Sequence, residues 1–293
     1  MTFRDYLCVS GRDLAPLDRM HPTELQSQAA RQLVESVTFD VDQYDIAWQE
    51  YLTCGGFPRA VAEQIKNGGV SLSYTRDLHA WISSDVEPDG SGESVANLLA
   101  GLEVRSSSPI NVRDTALRLG YDRSTFERRL ARLEGGFAGI RCPQRHGDTG
   151  DAVAGSQSKF YLTDPLLAWL PGLLRAGVRP PDMTRLTEMT LGITLARTLE
   201  ESEEGRWSDG NSIGFTRTGS GNEVDFSPVP IRTSTGTGMT VPIESKWVDD
   251  GWRGEARVLT GKYGRGILAT KSILALDDSV WAIPAPLLAL LLK

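Results

Sequence analysis

The sequence predicts an α+β, multi-domain protein built from a helical segment, a winged helix-turn-helix and a small α/β domain. Three observations carry that expectation. Residues 1–88 place apolar side chains at helical spacing in ELQSQAARQLVESV, DQYDIAWQEYLTCGGFPRAVAEQIKN and SLSYTRDLHAWISSDV. Residues 95–170 read as short helices joined by a tight turn, then the strand-like KFYLTD. From residue 184 onward, strand-like and helical runs alternate. A chain of 293 residues has room for two or three small cores.

In residues 1–88, Gly55, Gly56 and Pro58 punctuate the second run. Glycine suits the left-handed position past a helix end and proline suits a first helical turn, so one helix should stop at YLTC and another start near Pro58. The acidic, Gly/Ser-rich EPDGSGES, residues 87–94, reads as a linker. In residues 89–175, INVRDTALRLG and DRSTFERRLARLE flank the turn LGYDRS, and a winged helix-turn-helix is the most economical arrangement. Asp122 or Ser124 can cap the second helix, with Leu119, Phe126, Leu130 and Leu133 on its apolar face. The polar RHGDTGDAVAGSQS, residues 145–158, reads as a mobile wing tip or loop. AGVRPPDM opens the last domain, 176–293. There we expect a long helix around TRLTEMTLGITLARTLEESEEG, strands in NSIGFTRT, EVDFSPV and MTVPIESKW, a helix near EARVLTGKYG and a strand GILATKSI. DSVWAIPAPLLALLLK should end as a buried terminal helix.

The formal charge is −7, so the molecule as a whole does not attract nucleic acid, and such binding needs a local basic face. Residues 113–145 supply one: eight arginines against four carboxylates, a net +4. Arg123, Arg128, Arg129 and Arg132 fall on or beside the second helix of the pair, where a guanidinium reaches phosphate or a guanine edge; such helices also serve as solvated or protein-binding faces. Cys8, Cys54 and Cys142 form no CxxC pair, which argues against a disulfide framework or a structural zinc and fits a reducing, cytoplasmic setting. The charged MTFRDYLCVSGRD is not a signal peptide, and the apolar residues 283–292 are too few to span a bilayer. Three scattered histidines and the lack of a GxSxG elbow set aside a hydrolase triad. Trp247, Trp252 and Trp281 fit core or pocket-rim positions better than stacking platforms.

One stretch carries chemistry. Asp225 lies in a strand-like EVDFSPV, and Glu244 and Lys246 lie two apart at the end of TVPIESK, on one face if that run is a strand. If the strands are neighbours, Asp225 joins them, and Glu188 on the long helix would complete a site for Mg²⁺ or Mn²⁺. Carboxylates meet the hard-oxygen preference of such ions, and lysine can orient an attacking water and offset charge on a phosphorane-like transition state. The same charges also fit the ends of two ordinary hairpin strands.

Glu188, GNEVDF and IESK resemble the Glu, Asp, ExK pattern of the PD-(D/E)XK nuclease superfamily, which implies a restriction-endonuclease-like fold for the last domain. More closely, GGFPRAV, RDLHAWISSDV, FYLTDPLLAWL, NEVDF and PIESK stand in the order found in a family of bacterial and archaeal AAA-type P-loop ATPases. The resemblance covers nearly the whole chain. It implies a lid-like helical segment, a winged helix and a nuclease-like domain of unknown function following an ATPase core. A G-x-x-x-x-G-K-[ST] loop is absent, and the Gly-rich STGTGMT lacks the lysine. The resemblance therefore implies a chain that starts after the ATPase core, with no nucleotide site; a split or truncated gene, or a separately encoded ATPase as partner, would account for that start. Carried over, it nominates Glu188, Asp225 and Glu244 as metal ligands and Asp225, Glu244 and Lys246 as catalytic residues.

The leading expectation is a nucleic-acid-associated accessory protein that binds DNA through its winged helix. The alternatives are a Mg²⁺- or Mn²⁺-dependent deoxyribonuclease and a non-catalytic interaction module for a separate ATPase. None of these involves a membrane.

Overall fold

The computed structural model describes residues 1–88, 90, 92–202, 213–219, 221–276 and 278–292. Residues 89 and 91 of the expected linker, 203–205 of the expected long helix and 211–212 of the first expected strand lie outside the described residues. The chain is α+β, with many helices and small sheets. Its contacts gather it into two units, both discontinuous in sequence. The first takes Met1, Glu50–Arg141 and Gln157–Thr190; the second takes Thr2–Gln49, Cys142–Ser156 and Leu191–Lys293.

In the first unit, the tight turn at Gly55 and Gly56 does what its glycines promise. Gly55 has φ +72° and closes the preceding helix by donating to Tyr51 O at 2.7 Å. Pro58 then stands at the start of helix Pro58–Asn67. The turn is locked from the side by Asp164, whose Oδ2 accepts Gly56 N–H at 2.8 Å and whose Oδ1 accepts Leu166 N–H at 2.9 Å. A Cβ at position 55 would fall 2.0 Å from Asp164 Oδ1, so only glycine allows this approach.

Helix Leu72–Val86, capped by Ser71, packs with helices Gly92–Val104 and Pro165–Leu174. Helices Val112–Arg118 and Arg123–Gly135 follow and pack on each other. Asn111 caps the first of this pair and Asp122 the second, each side chain accepting the backbone N–H three residues on. Hydrogen bonds from the Ser124 hydroxyl and from Thr125 hold the Asp122 carboxyl well below the usual range. Phe126, Leu130 and Leu133 are buried, and Leu119 packs towards Gly101. The second helix stops in a paired reversal, with Phe137 N–H on Glu134 O and Ala138 N–H on Leu133 O, and Phe137 takes the left-handed φ of 56°. Strands Gly139–Pro143 and Ser158–Leu162 then form a two-stranded sheet.

The second unit is built on a parallel sheet of Ile243–Ser245, Gly266–Thr270 and Val280–Pro284, in that order. Helices Trp252–Glu255 and Arg257–Tyr263 cover it, and Trp252, Ala256 and Leu259 pack on Val224, Leu268, Val280 and Ala282. Helix Ala285–Leu292 is buried throughout, as an all-apolar helix must be. Short antiparallel pairs, Thr216–Arg217 with Glu223–Val224 and Pro230–Thr233 with Gly236–Met239, complete the unit.

Sequence pattern groups residues 1–49 with the helices that follow, whereas the bonds of residues 2–49 tie them to the C-terminal sheet. Met20 N–H donates to Leu291 O at 2.7 Å and Val241 N–H to Pro22 O at 3.0 Å. Arg4 Nη2 reaches both Leu17 O and Leu290 O, and Gln26 Nε2 reaches Gly266 O and Ser279 O. The expected wing tip also belongs to this unit. Gln144 pairs with Phe215, and the buried Arg145 guanidinium donates to Ile213 O and Gly150 O. Gly214 makes room for it, since a Cβ there would lie 2.4 Å from Arg145 Cδ.

Among the described residues no helix is long and apolar enough to cross a membrane.

Candidate functional site

In the second unit, the antiparallel bridge between Phe226 and Ile243 brings Asp225 and Glu244 side by side. Both backbone bonds of that bridge are made, Phe226 N–H to Ile243 O at 2.9 Å and Ile243 N–H to Phe226 O at 3.0 Å. Each carboxylate then accepts a backbone N–H from the opposite strand. Glu244 Oε2 takes Asp225 N–H at 3.0 Å, and Asp225 Oδ2 takes Ser245 N–H at 2.9 Å. The reciprocal bonds fix both side chains without a rotamer choice. Lys246 Nζ meets Glu244 Oε1 at 2.9 Å. Asp225 and Glu244 are buried, whereas the Lys246 side chain is 37% exposed, so the cluster opens to solvent through its lysine.

Burial, and then the neighbouring Asp225 charge, push the Glu244 carboxyl up to about 8, against the opposing pull of Lys246 and of the Asp225 N–H. Burial and the Asp225 charge thus resist ionisation of Glu244, while Lys246 and the Asp225 N–H favour its carboxylate. A carboxyl whose folded value lies above its unfolded one binds more protons when folded, so its contribution to stability is full below the unfolded value of 4.5 and is lost as pH rises through about 8. Urea unfolding between pH 5 and pH 9 should show stability falling with pH, and Glu244→Gln should flatten that fall. Equal slopes in the two proteins would refute the assignment.

Glu188 stands in the first unit, near the start of helix Met183–Ser202. Its Oε1 accepts from Lys159 Nζ at 2.9 Å and from Tyr161 OH at 2.8 Å. Lys159 is 0% exposed, which makes this a buried ion pair with a phenol attached. Lys159 and Tyr161 escaped the sequence reading, although a lysine two residues from a tyrosine in an apolar strand carries a signal: the two side chains share a face.

A divalent ion of the Mg²⁺ type takes oxygen ligands, and is typically held by one or two protein carboxylates with water and substrate phosphate filling the remaining positions. Asp225 and Glu244 fit that donor set. Among the described residues no group of three or more His, Cys, Asp or Glu side chains is placed to hold a metal. Binding at this pair would favour the ionised form of Glu244.

The expected DNA-contacting arginines divide into two kinds. Arg123 and Arg128 are exposed, with Arg123 Nε on Glu127 at 3.0 Å and Arg128 Nη2 on Thr125 Oγ1 at 3.2 Å. Arg129 is turned inward: it pairs with Glu87, and its guanidinium lies 3.9 Å from the Tyr121 ring centroid. Arg132 Nη1 donates to Val86 O at 2.8 Å, tying its helix to the end of helix Leu72–Val86. Arg129 sits three residues from Phe126 and four from Leu133, hence on the buried stripe, whereas Arg128 points away. Arg129→Ala should therefore cost about 2–4 kcal/mol, somewhat less than breaking a fully buried pair because Glu87 is 24% exposed. Arg128→Ala should stay within about 0.5 kcal/mol, as surface changes do. Thermal unfolding of the two variants checks this, and equal midpoints would contradict it.

Residues 46–176 match the family model described as a domain of unknown function, DUF8612. No curated protein matches the chain, and no solved structure does. The matched stretch includes the Gly55–Asp164 lock and the two-helix face, and stops short of Asp225, Glu244 and Lys246.

Proposed function

We propose that the protein is nucleic-acid-associated, with a metal-dependent phosphodiester site at Asp225, Glu244 and Lys246. The observation that carries this reading is the meeting of two buried carboxylates and one half-open lysine across neighbouring strand segments, with Lys246 Nζ 2.9 Å from Glu244 Oε1. The parallel sheet that follows, with its covering helices, supports a PD-(D/E)XK-like fold for the second unit. In this reading Asp225 and Glu244 hold Mg²⁺ or Mn²⁺. The bound ion would polarise a phosphoryl oxygen and favour a hydroxide nucleophile. Lys246 orients the attacking water and offsets the charge that grows on the phosphoryl oxygens.

Duplex docking falls to the first unit. Helices Val112–Arg118 and Arg123–Gly135, followed by the two-stranded sheet, support a winged helix-turn-helix reading, with Arg113, Arg118, Arg123 and Arg128 on its outer faces. Arg129 and Arg132 hold the second helix in place for them. The test has two arms. A cleavage assay on duplex and single-stranded DNA with Mg²⁺ or Mn²⁺ should give products that vanish with EDTA and with Asp225→Ala; products from the variant would reject the site. Binding of the EDTA-treated protein should weaken steeply with salt and drop for Arg128→Ala, because phosphate contacts release counterions. A salt-independent titration would reject the docking face.

A second reading, a docking module for a separately encoded AAA-type ATPase, draws on one observation. Two motifs of the resemblance, GGFPRAV and FYLTDPLLAWL, meet in the lock of Gly55 and Gly56 on Asp164. Co-purification of a P-loop ATPase from the host, identified by mass spectrometry, would support it, and its absence would count against it.

A further inference from the structure

The most exposed large apolar side chain in the described structure is Phe39, at 101% of its reference area. It sits on the single turn Thr38–Asp40, directly before helix Val41–Cys54. Val41, Tyr44 and Trp48 of that helix are buried, so the opposite stripe faces out. Phe39, Asp42 and Ile46 follow each other along it at spacings of three and four, and Ile46 is itself exposed. Asp40 and Asp42 flank the stripe and are exposed, while Glu35 beside them is paired with Arg31 at 2.7 Å. Asp45 is buried, so the unpaired acidic rim of residues 32–49, which hold no lysine or arginine, is Asp40 and Asp42. The result is an acidic knob with an aromatic tip. A fully solvated phenylalanine adds nothing to the core that the neighbouring Val41 and Tyr44 do not already provide.

The same chain carries the converse surface. On helix Val112–Arg118, Leu117 is 77% exposed, with Arg113 one turn before it and Arg118 beside it. Arg128 and Arg123 add to this face from the next helix. Of the nearby carboxylates, Asp122 is occupied in capping its helix, Glu127 is paired with Arg123, and Asp114 stands exposed one turn before Leu117; Arg113, Arg118 and Arg128 outnumber it, so the face is net cationic around an apolar centre. Apolar tip with acidic rim and apolar centre with basic rim are complementary in both charge and hydropathy. Neither is covered within a single chain, since Phe39 and Leu117 are both exposed.

We propose that the Phe39 knob of one copy docks on the Leu117 arginine face of a second copy. The contact is heterologous, so each copy still offers one free knob and one free face, and the assembly grows head to tail or closes as a ring. Opposite charges steer the encounter and make it sensitive to salt.

Sedimentation velocity of the full chain tests this. In low salt the average mass of the wild-type protein should rise with concentration beyond that of a dimer, and fall back in high salt. Phe39→Asp alone and Leu117→Asp alone should each stay monomeric. An equimolar mixture of the two should stop at the dimer, because between them they retain one intact knob and one intact face. Both positions are exposed, so circular dichroism and the unfolding midpoint should match the wild type, and that control separates loss of contact from loss of fold. A wild-type protein that remains monomeric at every concentration overturns the proposal. So does a mixture that remains monomeric, or single variants that associate like the wild type.

Discussion

Glu188→Ala is expected to destabilise the protein by about 3–5 kcal/mol, the range measured when one partner of a buried ion pair is removed. The substitution takes away the carboxylate that sits 2.9 Å from the wholly buried Lys159 ammonium, together with the acceptor for Tyr161 OH at 2.8 Å. Water has no access to replace either bond. Tyr161→Phe, which deletes only the phenol bond, should cost less, about 1–3 kcal/mol. A double change, Lys159→Met with Glu188→Leu, should recover much of the loss, since apolar residues of similar volume often replace a buried pair at little cost. Urea denaturation of the four proteins provides the measurement. Should Glu188→Ala fall within 1 kcal/mol of wild type, burial of this pair cannot be as the structure places it.

Lys246→Met is expected to lower metal-dependent cleavage about 10²–10³-fold, the usual effect of removing one charged donor aimed at a transition state. The Lys246 ammonium is the half-open member of the cluster, but it is the cation beside the buried Glu244, so a circular-dichroism control on folding accompanies the rate. Lys246→Arg keeps the charge but not the compact ammonium, and should recover only part of the rate. Single-turnover kinetics with saturating metal separates the effect from metal affinity. A rate within threefold of wild type would mean that Lys246 serves only as the counter-charge of Glu244.

Much of the second unit could be read from the chain because its elements are local. The apolar run before Glu244, the glycine-bounded GILAT and the all-apolar terminal helix each announce themselves in a few residues, and each forms where expected. The meeting of Asp225 with Glu244 and Lys246 was legible for the same reason: strand alternation orients the side chains once the strands adjoin. What could not be read is long-range. Nothing in MHPTEL or in PAPLLALLLK signals that Met20 and Leu291 share a backbone bond, because such a bond depends on neither side chain. Arg145 illustrates a different limit. A polar, glycine-rich surrounding suggests a solvated loop, yet carbonyl oxygens of Ile213 and Gly150 bury its guanidinium. Arg129 was legible and was missed: helical periodicity alone places it on the stripe of Phe126 and Leu133.

The return of residues 2–49 to the C-terminal sheet also sets a timetable for the ribosome. Every residue of the first unit has been made once Thr190 is added, whereas the second unit runs to the end of the chain. The second cannot close until Leu290 and Leu291 have emerged to receive Arg4 and Met20. At 5–20 residues per second, the amino-terminal segment waits roughly 10–50 s for its partner. Throughout that interval Phe3, Tyr6, Leu7 and Trp48, all destined for the interior, have no finished core to enter. A chain of this design leaves apolar side chains of residues 3–48 unburied until the residues that cover them, near the opposite end of the chain, have been made.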